Sequence, residues 1–445
     1  MSTPIPRPPG VFLLGNIFDV DPSNTWVSLK KLADKYGPIF KIKVLTQEIV
    51  FVGSVSLLEE ICDEKRFRKC VIGPIVEVRQ AVHDALFTAY DYEASWGIAH
   101  RIMAPMLSPS SVEATFNGMR ESASKLVAKW ASSGEGLRIE AREDLRRLNL
   151  EAVMLCLFDE RLDCLSGPEL PVMNALDNVP QECMLRPNRP RLLNWLFYQR
   201  SFNSGIETMR KFAADVVAKR RSQPDPKKDM LYTLMHTQDP ETGKQLDEQR
   251  IIDEVVTIII GTTTCPGLLA FAVYYLLQNT HCITKAREEI DAVVGPEENP
   301  LTHSHLAKLP YCDAILKESI RLSAAAPGFN IEPLPSTKGP TTLAGGKYQI
   351  PPKQPIIAIL AAVNRDPTVF DEPEAFRPER MMPEAFKDLP RGAQKWFGNG
   401  KRECIGKVYA WQWAMVTLVS LVRGVDLEMA DEGYEMKVDG AFNLK

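Results

Sequence analysis

The stretch Trp396-Phe-Gly-Asn-Gly-Lys-Arg-Glu-Cys404-Ile-Gly406 gathers the residue types that a metal–thiolate site needs. Gly398 and Gly400 permit positive φ and let the backbone approach a flat ligand closely. The apolar run that follows reads as a helix starting near Cys404. Orphan N–H groups and the helix dipole there favour an anionic sulfur, and the same N–H groups tune any metal the sulfur holds. Phe397 is placed to cover the sulfur and Arg402 to reach an acidic edge of the ligand. Taken alone, Cys404 reads as a buried cysteine in a turn; the string as a whole carries the thiolate reading. The other eight cysteines show no CxxC pairing, a pattern that suits a reducing compartment and small buried thiols.

These residues need a scaffold. The chain has 445 residues, 45% apolar and 25% charged, ordinary globular usage with ample material for a core. The net charge of −4 argues against non-specific nucleic-acid binding. No signal peptide opens the sequence and no run reaches ~18 uninterrupted apolar residues, so the reading is cytoplasmic with no membrane span. Helical spacing runs from Trp26 to Tyr36, and the alternating runs Ile39–Val44 and Ile49–Val52 suggest a hairpin. Mostly helical pattern then continues to Arg221, and residues 223–228 read as a polar surface connection. One long apolar helix is expected from an Asp247 cap to Gln278, another from Ala307 to Leu322, and a last one over Ile405–Arg423. Short strands fill 333–360. The expectation is a mainly α protein with small β-sheets and a single domain over residues 1–445.

In its motifs the sequence resembles the cytochrome P450 superfamily. Phe397-x-x-Gly400-x-Arg402-x-Cys404-x-Gly406 matches that family's haem-binding loop, Glu318-Ser-Ile-Arg321 its Glu-x-x-Arg pair, and Phe376-Arg-Pro-Glu-Arg380 the segment whose arginine completes a buried ion network. Glu318 and Arg321, at i and i+3, share one helix face. The resemblance covers the whole chain and is closest to the haem domains of self-sufficient fatty-acid hydroxylases, through Tyr36-Gly-Pro-Ile-Phe-Lys41, Cys62-Asp-Glu-Lys-Arg-Phe67, Leu86-Phe-Thr88 and Asp239-Pro-Glu-Thr-Gly243. It implies haem b with Cys404 as the axial ligand to iron, a long kinked distal helix over the haem and the cysteine loop on the proximal side. It also implies that Lys69, Trp96, His100, Phe397 and Arg402 contact the haem or its propionates, and that Phe87 overhangs the distal face. FAD, FMN and NADPH would act through a flavoprotein reductase, fused or separate.

The sequence departs from the family in three places. The distal helix reads Gly261-Thr-Thr-Thr-Cys-Pro266, so Thr264 takes the place of the family threonine and Thr263 that of its usual acid. Thr263 and Thr264 are the candidate proton-relay residues, and Pro266 should sharpen the kink. Gln47 and Phe51 stand near where the related hydroxylases carry an arginine and a tyrosine that hold a fatty-acid carboxylate. The expected pocket, formed by Ile75, Val78, Val82, Phe87, Ile260, Gly261 and Ala326, suits a bulky apolar small molecule. The sequence ends at Phe442-Asn-Leu-Lys445, which reads as a haem domain truncated before a C-terminal reductase or as a stand-alone protein. Lys395, Lys401 and Lys407 bracket the thiolate side, where an acidic flavoprotein or only solvent would meet them. The expected activity is a haem-thiolate monooxygenase. The alternatives are an isomerase, dehydratase or peroxide-rearranging enzyme that needs no NADPH, and a non-catalytic haem sensor.

Overall fold

Apolar residues at helical spacing account for most of the architecture: helices carry the bulk of the chain and two small sheets sit among them. The structure is a computed structural model that describes residues 2–442 except 45–46, 133, 135, 137, 225–226, 297–298, 338, 432 and 441. The first sheet takes strands from both ends of the chain. β1 (Ile39–Val44) pairs antiparallel with β2 (Gln47–Val52), Ile39 opposite Val52 and Val44 opposite Gln47. The turn of this hairpin lies outside the described residues, as does part of the 223–228 connection. β3 (Phe67–Lys69) and β4 (Gly328–Pro333) run antiparallel. β5 (Thr341–Leu343) and β6 (Tyr348–Ile350) form the second sheet, and β7 (Ile356–Ile359) completes the first in the order β1-β2-β7-β4-β3. This order seats Lys69 on β3 beside strands drawn from the last third of the sequence. A single hydrophobic cluster runs from Trp26 to Val422 across helices and sheet alike.

The expected single distal helix is two helices. Asp247 caps the first by accepting from the Arg250 backbone N–H at 2.9 Å, and that helix spans Glu248–Thr262; the second spans Cys265–Gln278. Proline explains the interruption. Pro266 has no N–H for the Thr262 carbonyl, so the ladder is cut there and residues 263–264 form a turn. The Asn149 side chain donates to that carbonyl instead, at 3.1 Å. By length and composition, residues 248–278 could cross a bilayer, but 61% of their most apolar window is buried in the protein, as in a core helix. The helix expected from Ala307 starts at Pro310, where a proline suits the first turn, and ends at Ser323.

That helix holds an ion network whose Glu318 and Arg321 have no access to solvent. Arg321 Nε and Nη2 donate to Glu318 at 2.7 and 2.8 Å, and its Nη1 donates to the Asn364 and Pro373 carbonyls. The Arg377 backbone N–H donates to Glu318 at 3.0 Å, and Arg380 Nε lies 3.4 Å from the same carboxylate. Glu318, Arg321 and Arg380 therefore meet, and they tie the Pro310–Ser323 helix to the segment leading into the cysteine loop. Removing one partner strands a buried charge, which costs about 3–5 kcal/mol. Arg321→Ala should therefore lower the unfolding free energy by about that amount. Lys211→Ala, which breaks the exposed Lys211–Asp215 pair, should cost under ~1 kcal/mol. Denaturant titration of both variants measures the contrast.

Candidate active site

A cavity of about 1440 Å³ opens between the distal helix pair and the loop carrying Cys404. It exceeds the ~300–1000 Å³ that suffices for one small ligand, so it has room for a large cofactor together with a substrate. On the proximal side the loop is pinned at several points. The Cys404 backbone N–H donates to the Phe397 carbonyl at 2.8 Å, Lys395 donates to Asn399, and Asn399 donates to the Cys62 carbonyl at 2.6 Å. Gly400 has φ +57°, and a Cβ there would collide with the Glu64 carboxylate, which accepts from the Lys401 N–H at 2.9 Å. The last helix begins at Lys407 with Gly406 as its cap, so Cys404 stands three residues ahead of it rather than at its start. Cys404 lines the cavity and is exposed to it. Burial pushes the thiol up, and the Gly406 N–H works against this. Phe397 packs edge-on against Trp411, 6.2 Å between centroids, and Trp411 is anchored on Asp313.

Two cations lie together in the wall of the same cavity. Lys69 donates to the Phe87 carbonyl and sits over the Phe87 ring; burial and the nearby Arg402 charge push its amine down to about 7. Arg402 donates to the Ala89 carbonyl at 3.1 Å and lies 4.6 Å over the Trp96 ring, which His100 flanks at 5.1 Å. Its Nε and Nη1 are buried without a partner. A neighbouring cation that depresses a lysine, beside orphaned guanidinium donors, marks a place for an anionic ligand edge. Among the described residues no group of three metal-ligating side chains forms, so a metal on Cys404 would take its other donors from a non-protein ligand. A haem fits both requirements. Cys404 would hold its iron, Arg402 and Lys69 would meet its carboxylates, and Trp96, His100 and Phe397 would flank it.

A cytochrome P450 family model matches residues 5–442. The chain belongs to the cytochrome P450 family. It is 41% identical to a self-sufficient cytochrome P450 monooxygenase of Penicillium freii over 99% of this chain and 42% of that protein. It is 38% identical to a bifunctional cytochrome P450/NADPH–P450 reductase of Acremonium egyptiacum over 100% of this chain and 42% of the relative. It is 37% identical to a self-sufficient cytochrome P450 monooxygenase of Exserohilum turcicum over 99% of this chain and 41% of the relative. The chain thus spans less than half the length of these relatives. Haem-thiolate ligation is the family's cofactor chemistry, and bound haem supplies oxygen activation at an iron whose thiolate ligand donates electron density.

On the distal side this P450 domain brings Ile75, Val78, Val82, Phe87, Ile260, Gly261, Thr264 and Ala326 to the cavity, with Gln47 and Phe51 further out. Thr263 is the exception. It was expected at the oxygen site in place of the family acid, but the turn after Thr262 faces it into a second, smaller cavity behind the helix. The hydroxyls of Thr262, Thr263 and Thr264 donate to the carbonyls of Ile259, Ile260 and Gly261, three residues back in each case, as hydroxyls do in a bent helix. Lys401 and Lys407 pair with Asp91 and Glu403, both at 2.9 Å, so with Lys395 on Asn399 the basic bracket is tied down within the chain. Sequence reasoning missed Thr257, whose hydroxyl is buried in the cavity wall without a partner. It also missed the mouth, where Trp195, 68% exposed, stands with Arg191. The signal for the mouth was the unbroken run Trp195-Leu-Phe-Tyr198 between polar residues.

Cys404→Ser replaces the sulfur with a neutral hydroxyl, a much poorer iron donor. The reduced, carbon-monoxide-bound variant should lose the red-shifted Soret band of thiolate ligation. A variant that keeps it would remove Cys404 as the ligand. Arg402→Leu should leave the thiolate band in place and lower haem retention through gel filtration, because the anchoring of the carboxylate edge is lost while the sulfur is untouched.

Proposed function

We propose that this chain is the haem domain of a monooxygenase acting on a bulky, largely uncharged apolar molecule. Its electrons would come from NADPH through a flavoprotein reductase, fused to the chain or separate. Per turnover, substrate R–H, O2, NADPH and one proton give R–OH, water and NADP+. One oxygen atom enters the C–H bond, and the other takes two electrons and two protons. The observation that carries the reading is the Cys404 loop facing an apolar cavity across the distal helix. The names of the relatives, monooxygenases and reductase fusions, point the same way.

The residues then divide by task. Ile75, Val78, Val82, Phe87, Ile260 and Ala326 would hold the substrate by apolar contact and keep water from the reacting carbon. Gly261, without a side chain, leaves room for oxygen and substrate at the distal wall. Thr264 would pass protons through its hydroxyl, which can relay but cannot store a proton at neutral pH. Glu318, Arg321 and Arg380 would act only by fixing the frame.

The outer pocket offers a carboxylate little. Gln47 is uncharged, Phe51 is buried and stacked on Phe40, Arg186 and Arg189 are already paired with Glu77 and Glu182, and Arg191 at the mouth is exposed, where solvent screens its charge. Saturated fatty acids and their methyl esters, titrated while the haem spin state is followed, should therefore bind weakly and with similar affinity. Tight binding that requires the free carboxylate would overturn the uncharged-substrate reading.

With a reductase supplied, substrate should stimulate NADPH consumption. With no acid beside Thr264, much of that NADPH should appear as hydrogen peroxide. Substrate conversion that ignores NADPH would instead indicate an isomerase-type reaction.

A further inference from the structure

The distal helix break has a second face. Behind it, away from the main cavity, lies a cavity of about 30 Å³ lined by Asn149, Thr263, Pro266 and, toward the surface, Arg146 and Asp177. Thr262 lines both this cavity and the main one, so the Thr262–Thr264 turn is the wall between them. The volume is about the share of liquid occupied by one water molecule, and polar groups line it on more than one side.

Asn149 is the decisive residue. It lies among Leu148, Leu150 and nine further buried residues of the Ala141–Phe158 helix, and it is only 5% exposed. Its Nδ2 donates to the Thr262 carbonyl, but its Oδ1 is buried with no partner in the protein. A buried amide oxygen left unsatisfied is unfavourable, and a bound water donating to it would offset that cost. At the outer edge Arg146 bridges Asp177 at 3.0 Å, Glu169 at 2.7 Å and Glu143 at 2.8 Å. Those carboxylates are partly exposed, so the cluster joins the small cavity to solvent.

We propose that this small cavity holds a water that feeds protons to the oxygen site through the broken distal helix, and that Asn149 is the residue that positions it. The cut at Pro266 makes the route physical. An unbroken helix would present a closed ladder of backbone bonds, whereas here the Thr262 carbonyl turns outward to Asn149 and the threonine hydroxyls lie on both sides of the turn. The Thr262 and Thr264 hydroxyls each donate to a carbonyl and keep lone pairs that can accept from water. A proton taken up on one side is matched by one released on the other, so threonine and water finish each transfer unchanged. The two protons consumed per turnover come from solvent by way of the Arg146 carboxylate cluster. This inference rests on the monooxygenase reading.

The test uses the haem-loaded protein with its reductase. A high-resolution crystal structure of the wild type should show a water within hydrogen-bonding distance of Asn149 Oδ1. Asn149→Leu, close in size but without polar atoms, should exclude that water. It should also raise peroxide relative to product by at least about tenfold, within the ~10²-fold that proton-transfer catalysis can supply. The thiolate spectrum and the substrate-induced spin shift should be unchanged. Asn149→Ser, which leaves room for water and a polar partner, should recover most of the coupling. If Asn149→Leu fails to fold, Thr263→Val takes its place, because it removes a hydroxyl of the small cavity and leaves the Asn149 bond intact. A dry cavity in the wild type, or unchanged coupling in the variant that folds, overturns the proposal. Failure of the monooxygenase reading would look different: the wild type itself would show no substrate-stimulated NADPH consumption.

Discussion

An anionic sulfur inside a protein is unfavourable unless donors and a metal share its charge, and the loop around Cys404 is built to that constraint. Burial alone raises the thiol, with the Gly406 N–H working against it. The remaining stabilisation must come from an ion bound on the cavity side, so the loop has to hold the sulfur at one fixed position. The backbone bond from Cys404 to Phe397, the left-handed turn at Gly400 over Glu64 and the clamp of Asn399 on Cys62 do this locally. At longer range the Glu318–Arg321–Arg380 network fixes the segment that leads into the loop. A network of this kind stabilises little by itself, since desolvation consumes most of the attraction. What it gives is a single geometry.

The two cations in the wall of the same cavity follow the same logic with the sign reversed. Lys69 and Arg402 repel one another across a buried space, and the orphaned Nε and Nη1 of Arg402 have no protein partner. Such an arrangement is strained in the protein alone and becomes favourable when an anionic edge enters between the donors. The site is therefore pre-organised for a ligand with carboxylates at one edge and a metal at its centre.

Across the cavity the order of events is set by one proline. Pro266 cannot satisfy Thr262, so the distal helix splits, Asn149 takes up the stranded carbonyl and Thr263 turns away from the cavity. The same cut that removes helical continuity opens a polar seam in an otherwise apolar wall. A helix that lacks the usual acid thereby acquires a different polar route between its two faces.

Much of this was legible in the residues alone. The cysteine loop, the Glu318/Arg321 spacing and the alternation of β1 and β2 are local patterns, and local patterns obey the periods of helix and strand. Their motifs were specific enough to name the family and its haem-thiolate cofactor. The sequence also showed that Pro266 must disturb the distal helix, because a missing N–H is a property of the residue. It could not show which group would take the Thr262 carbonyl. Asn149 lies 113 positions earlier, and only the packing of two helices brings it there. Nor could residue order say that Thr263 and Thr264, adjacent in the chain, face different cavities, since that depends on how far the turn rotates once the ladder is cut. The pairing of Lys69 with Arg402 is likewise tertiary: the strand order of a sheet built from both ends of the chain places one cation beside the other. Residue types and spacing determined the chemistry on offer. Which side chains meet, and which are left without a partner, was decided by packing over distances that no local period encodes.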